Sequence, residues 1–307
     1  MEFVRGIQNL LPHQRGCALT VGNYDGVHLG HQAMISVLKN RAAEMDLPSV
    51  VLAFEPSSKE FLDPLNAPPR LTRWREKFLH LAELGVDRFV SLRFDDKMRE
   101  MSHEVFVQRV MVDALGARHI VVGPDFRYGS AAAGSFESLR AVGQKHAFEV
   151  EQISAVDQNG SRISSTRVRE HLALGNFAAA ADLLGRPYRM IGRVTHGKKL
   201  GRTLGFPTAN VPLKRMKSPV WGVLAVRVYG VDAHPLPAVA SLGTRPTVSG
   251  VEPLLEVHLF DFAGDLYGVP IEVEFVQKLR DEEKFPSLDA MVEQMNVDAN
   301  RARAALS

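Results

Sequence analysis

The stretch VGNYDGVHLGHQAM, residues 21–34, holds two histidines three positions apart, with glycines on both sides of the first. Ala18–Val21, which leads into it, is predicted to be a buried strand, and apolar residues recur at helical spacing from Met34 to Met45. A glycine-rich turn between a strand and a helix presents backbone N–H groups and the positive end of the helix dipole to an anion. Imidazoles at His28 and His31 can donate hydrogen bonds to phosphoryl oxygens as charge builds there. The stretch therefore favours a phosphate site.

Two other interpretations of the histidine pair stay open on the residues alone. They could be two surface side chains. They could also be half of a zinc site, but its third ligand would have to come from a distant segment, and Cys17 is at no familiar spacing from them.

The first half of the chain alternates strand and helix patterns. Such alternation predicts a parallel sheet with helices on both faces. The further strands are predicted at Ser49–Phe54, Arg88–Leu92 and His119–Val122, and the further helices at Trp74–Leu84 and from Ser102 to Leu115.

The second half has a different periodicity. Strand patterns at 222–230, 254–260 and 271–276 are separated by turns, and a terminal helix is predicted from Ser287. In the third strand Ile271, Val273 and Phe275 alternate with Glu272 and Glu274, which predicts an antiparallel sheet with one face in water. We place the domain boundary at the Gly-Arg-Pro break, giving domains of residues 1–185 and 186–307.

Composition limits which binding partners and which cellular location we expect. The 307 residues have a net charge of only +2, which indicates neither a nucleic-acid nor a membrane partner. With one cysteine no intrachain disulfide can form, and neither a secretory leader pattern nor a membrane-length apolar run is visible. These features predict a cytoplasmic protein, and they do not fix an oligomeric state.

The motifs resemble those of a known family. GNYDGVHLGH is similar to the H-x-G-H region of prokaryotic bifunctional riboflavin kinase/FAD synthetases, which belong to the nucleotidylyltransferase superfamily, and ISSTRVREHLALGNF (163–177) is similar to its second signature. The resemblance implies a Rossmann-like α/β FMN adenylyltransferase domain, with His28 and His31 catalytic, followed by an antiparallel β-barrel riboflavin kinase domain with a terminal helix. The residues implied to bind ATP in the first domain are Gly22, Asn23, Asp25, Gly30, Ser164, Ser165, Thr166, Arg167 and Arg169. Without the resemblance, the three hydroxyl residues would be interpreted as an N-cap for a helix through Leu174.

Further segments of the first half match the same family. GPDFRYG (123–129), FEP (54–56) and PPRLT (68–72) resemble its remaining loops. The resemblance implies flavin contacts from Phe54, Pro56, Asp125 and Phe126. Two departures remove rigidity or charge beside the expected site: Ser58 replaces a proline, and Ala131–Ala133 replace basic residues.

The segment GRTLGFPTAN (201–210) indicates a second site. Thr208 and Asn210 present two hard oxygen ligands on the same side of an extended segment, as a Mg²⁺–nucleotide contact requires. The segment resembles the G-F-P-T-A-N motif of riboflavin kinases, which implies that these two residues hold the metal and that Gly201 and Gly205 lie beside the phosphates. Outside that family the segment would be interpreted as a turn.

The stretch LLEVHLFDFAGDLYG (254–268) completes the second motif set. By resemblance Glu256 is the general base for the riboflavin 5′-hydroxyl, and Arg280 covers the flavin. The basic run HGKKLGR (196–202) is interpreted either as a flap over ATP phosphates or as a solvated loop. Ser241 and Leu224 stand where the family has Asn and Tyr.

The resemblance implies two reactions: ATP-dependent conversion of riboflavin to FMN, and adenylylation of FMN to FAD with release of pyrophosphate. Mg²⁺ is the implied cofactor, and riboflavin, FMN and ATP are the implied small-molecule partners. A kinase-only enzyme with a degenerate first domain and a non-catalytic flavin-binding regulator are the alternatives. A class I aminoacyl-tRNA synthetase is disfavoured because ISSTRVR has no lysine.

Overall fold

The computed structural model describes residues 1–158, 160–197, 204–247 and 250–307. The chain divides into two compact units. The first contains Met1–Pro68 and Trp74–Ser164, and the second contains Pro69–Arg73 and Ser165–Ser307.

The first unit is built on a six-stranded sheet in which every pairing is parallel. Its strands are β1 (Glu2–Arg5), β2 (Cys17–Val21), β3 (Ser49–Phe54), β4 (Arg88–Leu92), β5 (Ala117–Val122) and β6 (Glu149–Gln152), in the spatial order β1-β4-β3-β2-β5-β6. The order reverses between β2 and β5, which creates a switch point at the carboxyl ends of these two neighbours.

Helices cover both faces of this sheet, as the alternating pattern predicts. Leu19 packs on one face among residues such as Phe106 and Met111, whereas Ala18 faces the other side with Ile35 and Leu38. The helices are α1 (Leu29–Glu44), α2 (Ser58–Leu62), α3 (Trp74–Glu83), α4 (Asp96–Glu100), α5 (His103–Phe106) and α6 (Phe136–His146). A small hairpin of β7 (Asp157–Gln158) and β8 (Ser161–Arg162) follows them.

The helix predicted from Ser102 differs from an α-helix over most of its length. The Ser102 side chain accepts the capping bond from the Val105 N–H, and α5 then continues as a π-helix at Val107–Ala114. A backbone bond from the Leu115 N–H to the Val110 carbonyl shows the i→i+5 spacing. An apolar repeat does not distinguish this wider helix from an α-helix.

The second unit is an antiparallel sheet of six strands. They are β9 (Arg189–Arg193), β10 (Ala209–Pro212), β11 (Gly222–Tyr229), β12 (Leu236–Thr247), β13 (Gly250–Leu259) and β14 (Pro270–Arg280), in the order β10-β13-β12-β11-β14-β9. A bridge between Thr195 and Asn210 links the end beyond β9 to β10, so the sheet nearly closes into the predicted barrel. The helices are α7 (Ser165–Ala173), α8 (Phe177–Leu184) and the terminal α9 (Leu288–Leu306).

The prediction that one face of β14 is wet is wrong at Glu274. Ile271 and Val273 are buried as expected, but Glu274 is only 7% exposed. Its carboxylate accepts hydrogen bonds from Arg189, 2.8 Å away, and from the Tyr229 hydroxyl, 2.9 Å away. A buried carboxylate is tolerated because these donors replace water.

The segment Pro69–Arg73 belongs to the second unit although its neighbours in sequence belong to the first. Its carbonyls are held individually: Arg169 donates to Pro69, Arg215 to Arg70 and the Tyr188 hydroxyl to Leu71. The predicted boundary at residue 186 remains a prediction about the two activities.

Candidate active sites

His28 starts α1 and turns its ring back on the helix. As the N-cap residue it accepts a hydrogen bond on Nδ1 from the His31 N–H, 3.3 Å away. Because Nδ1 accepts, a neutral His28 ring carries its proton on Nε2. The same side chain thus caps the helix and presents an N–H donor, which explains why the first histidine stands directly before the helix.

His31 lies one turn into α1 with its ring parallel to that of His28. The ring centroids are 3.7 Å apart, with 17° between the planes. Burial, followed by the charges of His28 and Lys77, holds the pKa of His31 well below its ordinary value. His31 is therefore neutral near pH 7, and among the described residues its buried Nδ1 has no hydrogen-bond partner.

Close packing fixes both rings. The ring of Tyr24 is tilted against that of His31 at 5.0 Å, and its buried hydroxyl lies 2.5 Å from the Thr20 hydroxyl. At Gly30 an added Cβ would lie 3.2 Å from two ring atoms of His28 and 3.7 Å from the Ile163 carbonyl oxygen. A side chain at this position would displace the His28 ring by a few tenths of an ångström.

The other predicted residues of the first unit lie on loops that leave the same edge of the sheet. The turn containing Gly22, Asn23 and Asp25 follows β2, the pair Phe54 and Pro56 ends β3, and Asp125 and Phe126 follow β5. These three strands are neighbours in the sheet, so their carboxyl ends open onto the switch point. The structure thus brings the loops to the edge where α/β proteins bind ligands.

Two of these loops have defined contacts. Asp125 is exposed and forms an ion pair with Arg162, and Phe126 stacks on Tyr128 with ring centroids 5.3 Å apart. At the end of β3, the Ser57 backbone N–H donates to the Glu60 carboxylate at 3.0 Å, in a capping box that starts α2. The position where the family has its second proline, Ser58, is therefore the first residue of a short helix.

The second signature is divided between the units. Ser164 ends the first unit, directly after Ile163 beside Gly30. Ser165, Thr166, Arg167 and Arg169 lie on α7 in the second unit, where Arg169 donates to the Pro69 carbonyl at 2.6 Å. That these four residues contact the same nucleotide as His28 stays a prediction.

In the second unit the sheet register brings the kinase motifs together. Asn210 on β10 pairs directly with Glu256 on β13, and Glu256 pairs on its other side with Ser241 on β12. Directly paired residues of antiparallel strands project to the same face, so the three side chains share one face of the barrel. The predicted metal ligand and the predicted base are thus cross-strand neighbours.

Glu256 lies in the wall of a cavity of about 290 Å³. The lining combines apolar side chains with several carboxylates, and it includes Phe206, Thr208, Val239, Phe285 and Met291. Arg280 also lines this cavity, where Asp298, which is 3% exposed, accepts its hydrogen bonds at 2.8 to 3.1 Å. A flat, largely apolar ligand with polar substituents suits such a lining.

A second cavity, of about 410 Å³, is lined by Pro207, Thr208, Phe262, Asp265 and Tyr267 among others. Thr208 therefore forms part of the wall of both cavities. One hydroxyl residue is thus shared by the two cavity walls.

The predicted metal ligands have the right donor atoms. Asn210 is buried, and its Nδ2 lies 3.4 Å from the Thr208 carbonyl oxygen, which leaves Oδ1 as the ligand atom of the amide. An added Cβ at Gly197 would overlap this amide. Two neutral oxygens leave room for phosphate and water ligands, as Mg²⁺ prefers. Among the described residues no cluster of three or more His, Cys, Asp or Glu side chains could hold a metal.

Of the two glycines predicted to lie at the ATP phosphates, one can be described. Gly205 has a φ of 82°, and nothing lies within 4 Å of an added Cβ, so its backbone leaves space for a ligand. Gly201 and most of the basic run 196–202 lie outside the described residues.

Sequence reasoning overlooked several residues of these sites. His258 lines the first cavity two positions after Glu256, and Glu282 accepts a hydrogen bond from the Ser241 hydroxyl at 3.0 Å. The alternation of β13 could have indicated His258, since residues two apart on a strand share a face. The position of Glu282 depends on a loop fold that no local pattern encodes.

Comparisons with known proteins match both halves of the chain to described families. A profile of FAD synthetase matches residues 10–167, and a profile of riboflavin kinase matches residues 184–306. Proteins named bifunctional riboflavin kinase/FMN adenylyltransferase are 48% identical in Pseudomonas fluorescens and 46% in Escherichia coli strain K12. Each alignment covers 99% of this chain and 97% of the relative. A solved structure from Streptococcus pneumoniae, described as a macrolide-efflux protein, has a TM-score of 0.79 at 32% identity and covers 99% of both chains.

The described helices give no sign of a membrane span, since none combines enough length with enough apolar character to cross a bilayer.

Proposed function

The chain belongs to the bifunctional riboflavin kinase/FMN adenylyltransferase family, and from this premise we propose that it performs both reactions. Residues 186–307 convert riboflavin and ATP to FMN and ADP. Residues 1–185 convert FMN and a second ATP to FAD and pyrophosphate. The observation that carries the kinase assignment is the position of Thr208 in the walls of two cavities, one of which also contains Glu256.

For the kinase reaction, riboflavin occupies the cavity that contains Glu256, and the nucleotide occupies the cavity lined by Tyr267. The 5′-hydroxyl oxygen forms a bond to the γ-phosphorus, the bond to the β,γ-bridging oxygen breaks, and the hydroxyl proton passes to Glu256. Phosphoryl transfer has a loose transition state, so alignment of the two substrates contributes more than this proton transfer. Arg280, fixed by Asp298, covers the flavin.

For the adenylyl transfer, an FMN phosphate oxygen forms a bond to the α-phosphorus of ATP, and the bond to the pyrophosphate oxygen breaks. The His28 and His31 rings donate hydrogen bonds to phosphoryl oxygens as negative charge builds on them. The turn at Gly22, Asn23 and Asp25 with Gly30 admits the phosphates to the start of α1. Phe54, Pro56, Asp125 and Phe126 hold the flavin at the switch point, and Ser164–Arg167 and Arg169 bind further phosphate oxygens.

Mg²⁺ is the proposed cofactor of the kinase site, with ligands from the Thr208 hydroxyl and the Asn210 amide oxygen. Bound there, it would offset the negative charge of the ATP phosphates. We also propose residues 1–185 and 186–307 as the limits of the two functional domains. The cytoplasm is the proposed location, because ATP is a substrate of both reactions and a single cysteine cannot form an intrachain disulfide.

The test is a chromatographic time course of flavins with riboflavin, ATP and Mg²⁺, and a parallel reaction that starts from FMN. We expect FMN to rise first and then to convert to FAD, and FMN alone to yield FAD. If the first reaction stops at FMN and the second yields nothing, the adenylyl transfer proposal is wrong and the chain is a kinase only. If riboflavin is retained without any turnover, both proposals are wrong.

A further inference from the structure

We propose that His258 positions the phosphotransfer site by holding the Pro207–Thr208 peptide, and that it does so through one hydrogen bond rather than through packing of its ring. This inference rests on the proposed kinase function. His258 would act through Thr208 and would not exchange a proton with the substrate.

Thr208 lies one residue before the first paired residue of β10. The ladder between β10 and β13 begins at the pair Ala209 and Val257. Continued by one step, the register would set Thr208 against His258, but no ladder pairing extends there. Pro207 has no N–H to donate, so its carbonyl is the only backbone group through which a hydrogen bond can hold it.

His258 supplies that bond. Its Nδ1 lies 2.9 Å from the Pro207 carbonyl oxygen. A carbonyl only accepts hydrogen bonds, so Nδ1 must carry the proton, and the neutral ring is fixed as the Nδ1–H tautomer. The ring itself lies against Phe206, with centroids 5.0 Å apart, and edge-on to Phe260 at 5.9 Å. Contacts with Phe206 and Phe260 thus orient the imidazole so that Nδ1 faces the Pro207 carbonyl.

The consequence concerns the metal ligand. Rotation of the Pro207–Thr208 peptide would move Thr208, the residue that lines both cavities. A shift of about 1 Å in a positioning group is enough to lower a rate strongly, because transfer depends on alignment. The His258 bond therefore couples the strand that carries Glu256 to the residue that would hold Mg²⁺.

Three substitutions separate hydrogen bonding from packing. Asn places its side-chain N–H where Nδ1 of histidine lies, Gln places it further out, and Phe fills the space with no donor. We expect His258→Asn to keep riboflavin kinase kcat within about threefold of the unaltered protein. His258→Phe and His258→Gln should lower kcat about tenfold, the scale of one lost hydrogen bond, and raise the Mg²⁺ concentration needed for half-maximal rate.

The controls use the same protein. FAD formation from FMN should be unchanged in all three variants. His234→Phe, a substitution of an exposed histidine in the same unit, should leave both reactions unchanged. If Phe preserves kcat and Asn lowers it, or if all three variants lose it equally, the proposal is overturned. Failure of the unaltered protein to form FMN would instead contradict the proposed kinase function.

Discussion

Burial of the His31 imidazole links the first site to the stability of the fold. In the unfolded chain a histidine binds a proton below about pH 6.5, whereas the pKa of folded His31 lies well below that value. As the pH falls through this range the unfolded state binds more protons than the folded state. The free energy of unfolding must then decrease, by up to about 1.4 kcal/mol per pH unit for one such group.

We expect this acid sensitivity to depend on His31. Denaturant unfolding between pH 7 and pH 5 should show a smaller loss of stability for His31→Gln than for the unaltered protein, because Gln does not titrate. His146→Gln, at the partly exposed last position of α6, serves as the control and should keep the original dependence. Equal slopes for His31→Gln and the unaltered protein would show that His31 is not held neutral.

Gly30 tests whether the exact position of the His28 ring matters for adenylyl transfer. An added Cβ would lie 3.2 Å from two ring atoms of His28, so Gly30→Ala must displace the imidazole by a few tenths of an ångström. We expect FAD formation from FMN to fall about tenfold or more while FMN formation is unchanged. The flavin time course measures both in one sample. An unaltered rate of FAD formation would mean that the His28 ring tolerates displacement.

The sequence indicates some of these candidate site histidines more clearly than others. His28 and His31 were identified because a strand, a glycine-rich turn and a helix start lie next to one another in the chain. For His258 the alternation of β13 indicates only the face that it shares with Glu256, because its hydrogen-bond partner, Pro207, is 51 residues away. The contact between His258 and Pro207 depends on how β10 pairs with β13. A local sequence pattern does not specify this pairing.

At the scale of single elements, α9 depends on one buried carboxylate. Asp298 is 3% exposed and accepts hydrogen bonds from Arg280 and from Gln294 of its own helix. Without Asp298 the Arg280 guanidinium would keep Glu283, 3.1 Å away, and the Asp281 carbonyl, so the cost is that of the lost charged hydrogen bonds, about 1.5–3 kcal/mol. Because Arg280 also lines the cavity proposed to bind the flavin, its release should weaken riboflavin binding as well.

We therefore expect Asp298→Ala to lower the free energy of unfolding by about 2 kcal/mol and to raise the KM for riboflavin. Asp289→Ala is the matched control, since Asp289 is an exposed carboxylate in the first turn of the same helix. That change should cost no more than about 1 kcal/mol and leave KM unaltered. A KM for riboflavin that is the same in both variants would separate Asp298 from the flavin cavity.

The strands that could be predicted from the sequence are those whose residues are mostly buried in the sheet. β2 to β5 are apolar runs, and their positions agree with the predicted strands to within two residues. β1 and β6 were missed because each carries two charged residues in four. Both are edge strands of the sheet, and such strands need not be apolar. Glu274 shows the opposite failure, since its alternation predicts exposure and its partners Arg189 and Tyr229 come from other strands.

At the scale of the whole molecule, each unit has its own sheet and its own core. The parallel sheet of the first unit ends in the histidine turn, and the antiparallel sheet of the second carries Glu256 and Asn210. The change of periodicity along the chain predicted that a parallel sheet is followed by an antiparallel one. It could not predict that Pro69–Arg73 joins the second unit, because hydrogen bonds to carbonyls leave no trace in the pattern.

Because we propose a separate set of site residues for each reaction, we expect FMN to leave the kinase site as a free product before it is adenylylated. Two variants with complementary defects test this. Glu256→Gln should slow FMN formation about 10²- to 10⁴-fold but leave FAD formation from FMN unchanged. His28→Asn should do the reverse, because Asn retains an oxygen that can cap α1 but lacks the imidazole. Neither variant alone should convert riboflavin to FAD.

A mixture of the two variants should form FAD from riboflavin after a lag in which FMN accumulates. The lag should shorten as the concentration of Glu256→Gln rises, because that variant then captures the released FMN faster. If the reaction starts from labelled riboflavin, added unlabelled FMN should mix with the labelled FMN that is released. The labelled fraction of the FAD should then fall to the labelled fraction of the mixed FMN. If each variant keeps its remaining activity and the mixture still yields no FAD, FMN does not become free, and transfer within one molecule is required.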